Sequence, residues 1–257
     1  MKDKIILAFS WALRDFRQRY VGTNLGQIWY ILSPVITIFI YTIIFSDFMK
    51  MKMNIIDNSY AYSIYIVPGL LSWISFSTII TRLTNSFEEK ANLIKKISVP
   101  MYIFQFATFL TELLLFFISI SLSLIFLFLV GQPITMSFLW IIPIMLLQTI
   151  FAFSLGVILS LFTPFFKDLK EAVPIIIQLW FWATPIIYLK QMIASKYPAL
   201  LIYNPFYHFV HLYQDIFLYA KTPSLSEIMI ILLLTIITLS IAAFLYKKMI
   251  STIKDII

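Results

Sequence analysis

The sequence has no cysteine. Disulfides and thiolate metal sites are therefore excluded, and cysteine usage says nothing more about compartment. It has five glycines and no G-x-x-x-x-G-K-[ST] run. No glycine-rich cradle for phosphate is available on this chain. Charge is scarce as well. Asp, Glu, Lys and Arg make up 12% of the residues, about half of the roughly 25% in soluble domains. A water-facing surface cannot be built from so few charges. The twelve acids are scattered, whereas a glycosyltransferase or hydrolase would concentrate them at one membrane face. No short apolar core with a small-residue cleavage site follows the basic N-terminus, so a removable signal peptide is not expected.

What is abundant is apolar. Hydrophobic residues make up 61% of the 257, and aromatics 18%. They fall in long runs without charge, each long enough to cross a bilayer. The net charge of +7 fits basic loops on the cytoplasmic side. No basic stripe with interleaved aromatics points to nucleic acid.

Ile6, Phe9, Leu13, Phe16 and Tyr20 recur at spacings of three and four. They share one face of a helix over 5–20, with Lys4, Arg14, Asp15, Gln18 and Arg19 largely opposite. Such an amphipathic helix lies along a membrane surface or forms part of a small cytosolic domain. Six spans follow, over residues 25–45, 60–80, 102–130, 138–162, 173–188 and 225–246, with a tail over 247–257. The chain reads as one all-α membrane domain, 1–257: an interface helix over 1–22, then six spans over 23–246. No internal repeat of the kind found in many secondary transporters is evident.

Six spans put both termini on one side. With the N-terminus inside, the inside segments hold Lys2, Lys4, Arg14, Arg17, Arg19, Arg82, Lys90, Lys95, Lys96, Lys167, Lys170, Lys247, Lys248 and Lys254. The outside segments hold Lys50, Lys52, Lys190, Lys196 and Lys221. The excess predicts cytoplasmic termini.

Residues 190–223 contain Pro198, Pro205 and Pro223 between apolar pieces too short to span. They read as a re-entrant pair dipping into the outer leaflet, with Asn204 and Pro205 at the turn. The aromatic residues Tyr197, Tyr203, Phe206, Tyr207, His208, Phe209, His211, Tyr213 and Tyr219 suit either a sugar path or an interfacial belt. His208 and His211 can share a helix face, but without a third ligand nearby in sequence no metal site is assigned. Glu112 is the ionisable residue deepest in a span. It either lines a channel or makes a structural contact with a neighbouring Ser, Thr or Tyr. Phe87–Lys96 forms a short amphipathic helix, and Lys167–Glu171 a second charged element. Both are charged punctuation between spans, or rigid handles on which a soluble motor could push.

The stretch Arg14–Pro34, RDFRQRYVGTNLGQIWYILSP, resembles the entry segment of polysaccharide-exporting ABC-2 type permeases. Arg14-Asp15, Arg19-Tyr20, Leu25-Gly26, Trp29 and Pro34 carry the likeness. Asn92-Leu93-Ile94 with Pro100, FFKDLKE at Phe165–Glu171 and YNPFYH at Tyr203–His208 extend it. Lys167 stands where the family commonly has Arg. The stretch SYAYSIYIVPGLLSW is similar to segments of the O-antigen branch.

The resemblance implies a channel subunit of the inner membrane, working as a homodimer with two copies of a separate nucleotide-binding ATPase. No cofactor is implied on this chain; ATP and magnesium belong to that partner. The substrate implied is a lipid-linked polysaccharide. On this reading Phe87, Glu88, Glu89, Asn92, Lys95, Lys96, Lys167, Asp168 and Glu171 couple to the ATPase. Tyr203, Asn204, Pro205, Phe206, Tyr207 and His208 form an outer gate. Arg14, Arg17 and Arg19 would meet the diphosphate of the lipid carrier. Trp29, Tyr30, Trp180, Phe181 and Trp182 would line the path. Alternatives are a teichoic acid, capsule or small-molecule exporter, or a polytopic membrane enzyme of polysaccharide assembly.

Overall fold

A computed structural model describes residues 2–44, 58–96, 100–194 and 196–256, with side chains described except at 2–5, 92–96 and 255. Asp47, Lys50 and Lys52 lie outside the described residues. The described chain is helical, with no strand in it. The helices are α1 (Lys2–Gln18), α2 (Trp29–Thr42), α3 (Ala61–Thr84), α4 (Ser86–Lys96), α5 (Met101–Leu129) and α6 (Ile141–Phe162). They continue with α7 (Leu169–Ala183), α8 (Lys190–Ala194), α9 (Pro198–Tyr203), α10 (Tyr207–Tyr219) and α11 (Leu225–Ile256).

Among the described residues, four helices are long and apolar enough to cross a membrane: Ala61–Thr84, Met101–Leu129, Met136–Phe162 and Leu225–Lys254. The third of these joins a 3₁₀ turn, Met136–Trp140, to α6. Of the other two expected spans, the first is described as the apolar helix Gly26–Thr42, a 3₁₀ turn continuous with α2, and meets residues outside those described. α7 has 15 residues, or about 23 Å of rise against a hydrocarbon core of about 30 Å. α7 stops at Ala183 because Thr184 precedes Pro185, which forces it into extended backbone. α11 runs ten residues past the expected end at Tyr246. Lys247 and Lys248 are good helix formers and no Gly or Pro follows them.

α3 sits at the centre. Among the candidate spans it is the most buried, 78% of its apolar window, against 17% for α11. It packs on α2, α5, α6, α7 and α10, and α11 covers the far side of α6. Close approach is permitted by glycine at two places. A Cβ on Gly156 of α6 would lie 2.7 Å from Leu83 Cβ of α3, and one on Gly69 would press on Val210 and Gln214 of α10 at 3.2–3.3 Å. Buried amides fasten the layers. Gln148 donates to the Ser72 carbonyl at 2.9 Å and Gln105 to Ser160 Oγ at 2.8 Å.

The bundle has two ends. One, here the proximal end, carries α1, α4 and the turn before α7. The distal end carries α8, α9 and α10, where Tyr62 and Tyr65 of α3 donate to carbonyls of Ile187 and Tyr188.

Candidate functional site

The proximal end is built on charge. α1 lies along α5, with Ala8 and Ala12 turned inward at 3% and 8% exposure. These small residues at i and i+4 let the two helices approach closely. Ile6, Phe9 and Leu13 face away from the protein and are exposed. Thr111 of α5 donates to the Ala12 carbonyl at 3.2 Å, and Tyr30 of α2 to the Phe16 carbonyl.

Beside these contacts Glu112 Oε1 accepts from Arg19 at 2.7 Å and from Arg82 at 2.6 Å. Arg82 also grips both oxygens of Asp15, at 2.8 and 2.9 Å. The side chain of Glu112 is 4% exposed and that of Arg82 26%. Two cations and two anions thus close an ion-pair quartet that joins α1 and the segment after it to α3 and α5. The partners of Glu112 are arginines rather than the Ser, Thr or Tyr that the sequence suggests. Arg14 and Arg17 remain exposed, with the Arg14 guanidinium 5.1 Å above the Trp11 ring.

A groove opens between α2, α3 and α7. Thr37, Tyr41, Trp73, Ser77, Thr81, Gln178, Phe181 and Trp182 line it, and it holds about 1140 Å³ counted out to its open side. Hydroxyls, an amide and aromatic rings face one another across it. Phe181 and Trp182 are brought here. Trp180 turns inward, against Trp73 and Phe76. Trp29 and Tyr30 lie at a separate cavity with Arg19 and Glu112. The spacings 73, 77, 81 and 174, 177, 178, 181 mark these stripes in the sequence.

Asn204 ties the distal end to α7. Its Oδ1 accepts from Trp180 Nε1 at 2.8 Å and from the backbone N–H of Phe206 and Tyr207. Its Nδ2 donates to Thr184 Oγ1 at 2.8 Å and to the Ala183 carbonyl. An Asn oxygen that accepts N–H groups at a helix start is the usual way to begin one. Phe206 is fully buried, wedged between Trp73 and Phe76 at 5.0 and 4.1 Å. Tyr203 is exposed, and Pro205, Tyr207 and His208 are half-buried. His208 contacts the Ile202 carbonyl at 3.1 Å.

His211 meets two carboxylates that are distant or unremarkable in sequence: Asp215 at 3.7 Å and Glu227 at 3.2 Å. Lys190 and Lys221 hold Asp215 at 3.4 and 3.5 Å. The two lysines balance the two acids, so the group acts as a clasp joining α8, α10 and α11.

At the proximal end Lys170 reaches Glu88 at 3.3 Å and joins the two charged elements expected from sequence. Phe87 is buried in a cluster with Met101, Val157, Leu161, Ala242 and Ile253. Glu88, Glu89, Lys167, Asp168 and Glu171 are exposed. Asn92, Lys95 and Lys96 lie in α4, with side chains outside those described.

Apolar helices long enough to cross a bilayer, with the deep charges paired inside the bundle, describe a multi-pass membrane protein. The chain belongs to the ABC-2 type transporter family, which matches residues 8–218. It is similar to the O-antigen export system permease protein RfbA of Klebsiella pneumoniae, 32% identical over 206 residues, 80% of this chain and 77% of the relative. The RfbA protein of Myxococcus xanthus is 27% identical over 244 residues, 94% and 92% of the two chains. The polysialic acid transport protein KpsM of Escherichia coli is 23% identical over 236 residues, 91% and 90%. These relatives are permease or transport subunits rather than enzymes, and permeases of this type work with an ATPase subunit.

Proposed function

We propose that the chain is the channel subunit of an ATP-driven exporter that carries a lipid-linked polysaccharide, of the O-antigen class, across the inner membrane. The groove between α2, α3 and α7 carries this reading. Hydroxyl and amide groups suit sugar hydroxyls, and ring faces suit their C–H surfaces. The groove is open on one side, so a second copy supplies the missing wall. Ile175, Ile176 and Leu179 of α7 and Val35, Ile36 and Phe39 of α2 are exposed and apolar, which suits either lipid or that copy.

α2 and α7 complete six spans, with local thinning or flanking residues making up their length. The proximal end faces the cytoplasm. α1 lies in the inner interface with Ile6, Phe9 and Leu13 toward lipid. α9 and α10 form the re-entrant pair at the outer face, and Tyr203 to His208 its gate. α4 and the turn over 165–171 receive the ATPase, which binds ATP and magnesium. Arg14 and Arg17, free of the quartet, meet the carrier diphosphate. Arg19 would do so only by leaving Glu112.

The test is surface polymer in a strain deleted for this chain. Restoration by the wild-type chain, and its loss with Ser77→Trp at unchanged membrane abundance, is expected. Equal export by the Ser77→Trp chain contradicts the proposal.

A further inference from the structure

Most serine and threonine hydroxyls of the described bundle close onto carbonyls of their own helices, while Thr42, Ser75 and Ser86 leave buried hydroxyls unpartnered. Ser72 bonds Gly69, Ser77 bonds Ile74, and Ser119 bonds Leu115. Ser75 of α3 does not. Its Oγ is buried without a partner and the residue is 8% exposed. A buried hydroxyl left unbonded costs about 1–3 kcal/mol, so this hydroxyl gains from a polar ligand atom that reaches it.

Ser75 lines the cavity between α2, α3 and α5, which holds about 560 Å³ counted to its open mouth. Arg19, Glu112, Ser119, Tyr20 and Trp29 stand around it. Both arginines of the quartet bond the same oxygen of Glu112, Oε1. Oε2 is free of either of them. The quartet's charges cancel. An anion would win Arg19 only by displacing Glu112, and would then face that carboxylate. A neutral polyol can donate to Oε2, exchange hydrogen bonds with Ser75 and Ser119, and accept from Arg19. Tyr20 and Trp29 add ring surface for its C–H groups. A pocket with ring faces and a few convergent polar groups orients a small ligand.

We propose that this cavity binds one neutral sugar residue of the exported polymer, beside the quartet that anchors α1. The inference rests on the polysaccharide-export reading. It adds a sugar-reading site outside the translocation groove and separates recognition of sugar from recognition of phosphate.

The chain has no cysteine, so Ser75→Cys introduces a unique thiol. Ser119→Cys, in the same cavity, serves if the first variant does not accumulate. The full-length variant is placed in native membranes with an ATPase partner that cannot hydrolyse ATP. Its modification rate by N-ethylmaleimide is then measured in three hosts. One makes the polymer, one makes the carrier diphosphate without sugars, and one makes neither. We expect about five-fold slower labelling in the polymer-making host alone, the slowing that a site four-fifths occupied gives. Equal rates in all three hosts overturn the proposal, as does a thiol that never reacts. Protection by the sugar-free carrier also overturns it, because the ligand would then be the phosphate. If the wild-type chain fails to restore surface polymer to a deletion strain, the export reading fails. That outcome is read from a different experiment.

Discussion

Glu112→Ala tests whether the quartet holds α1 on the bundle. The substitution removes the acceptor shared by Arg19 and Arg82 and leaves the group with one net positive charge. Arg82 keeps Asp15 at 2.8 Å, whereas Arg19 loses the partner it holds at 2.7 Å. Breaking a fully buried pair costs about 3–5 kcal/mol, and an exposed one about 0–1. Here the acid is buried and the arginines are about one-quarter exposed. An intermediate loss of about 2 kcal/mol follows, or about thirty-fold in the ratio of docked to undocked α1.

Ala8 faces α5 and is 3% exposed, so Ala8→Cys reports undocking. Modification by a water-soluble maleimide reads the open population when closing is fast. The Glu112→Ala chain is expected to label about thirty times faster than the parent thiol variant. Adding Arg19→Gln should recover part of the protection, since it removes the unpaired cation, and the double-mutant cycle isolates that coupling. Unchanged labelling after Glu112→Ala would refute the anchoring role.

Other outcomes follow from single contacts. Gly156→Ala places a Cβ 2.7 Å from Leu83, so thermal unfolding in detergent should show about 1–3 kcal/mol of destabilisation. Asn204→Ala removes the acceptor of the Trp180 indole and two backbone caps. About 2 kcal/mol of local stability is lost, seen as faster amide exchange at the start of α10. Asp215→Asn leaves Lys190 and Lys221 with a weakened clasp, and proteolysis between α10 and α11 should become faster and less sensitive to salt.

Much of this architecture was legible in the sequence, because apolar runs and their length dictate spans. The ends of α3 and α5 fall close to those expected, since Asn85, Pro100 and Gly131 punctuate the runs. Pro185 marks the early stop of α7 at Ala183. On the extension of α11, Ile253 is buried in one cluster with Phe87, Met101 and Leu161, an assembly that no local pattern reveals. For α1 the sequence periodicity picked out Ile6, Phe9 and Leu13, while the protein-facing stripe is Ala8 and Ala12. Both stripes are helical; the smaller side chains face the protein because only they let α5 come near.

The groove is legible in Trp73, Ser77 and Thr81, which recur four residues apart on one face of α3. The quartet is not. Its pairs span 93, 67 and 30 residues, and the isolated acid in α5 gives no sign of which of the four arginines it meets. His211 with Glu227 has the same difficulty, since α11 must first be packed against α10.

The most direct test of the account is capture of the polymer in the groove. A photo-reactive residue at Ser77, in cells exporting polymer, should yield a heterogeneous, glycosidase-sensitive adduct on this chain. The same residue at Leu233, on the exposed face of α11, should yield none. Adducts absent at Ser77, or equal at both positions, would contradict a polymer path along α2, α3 and α7.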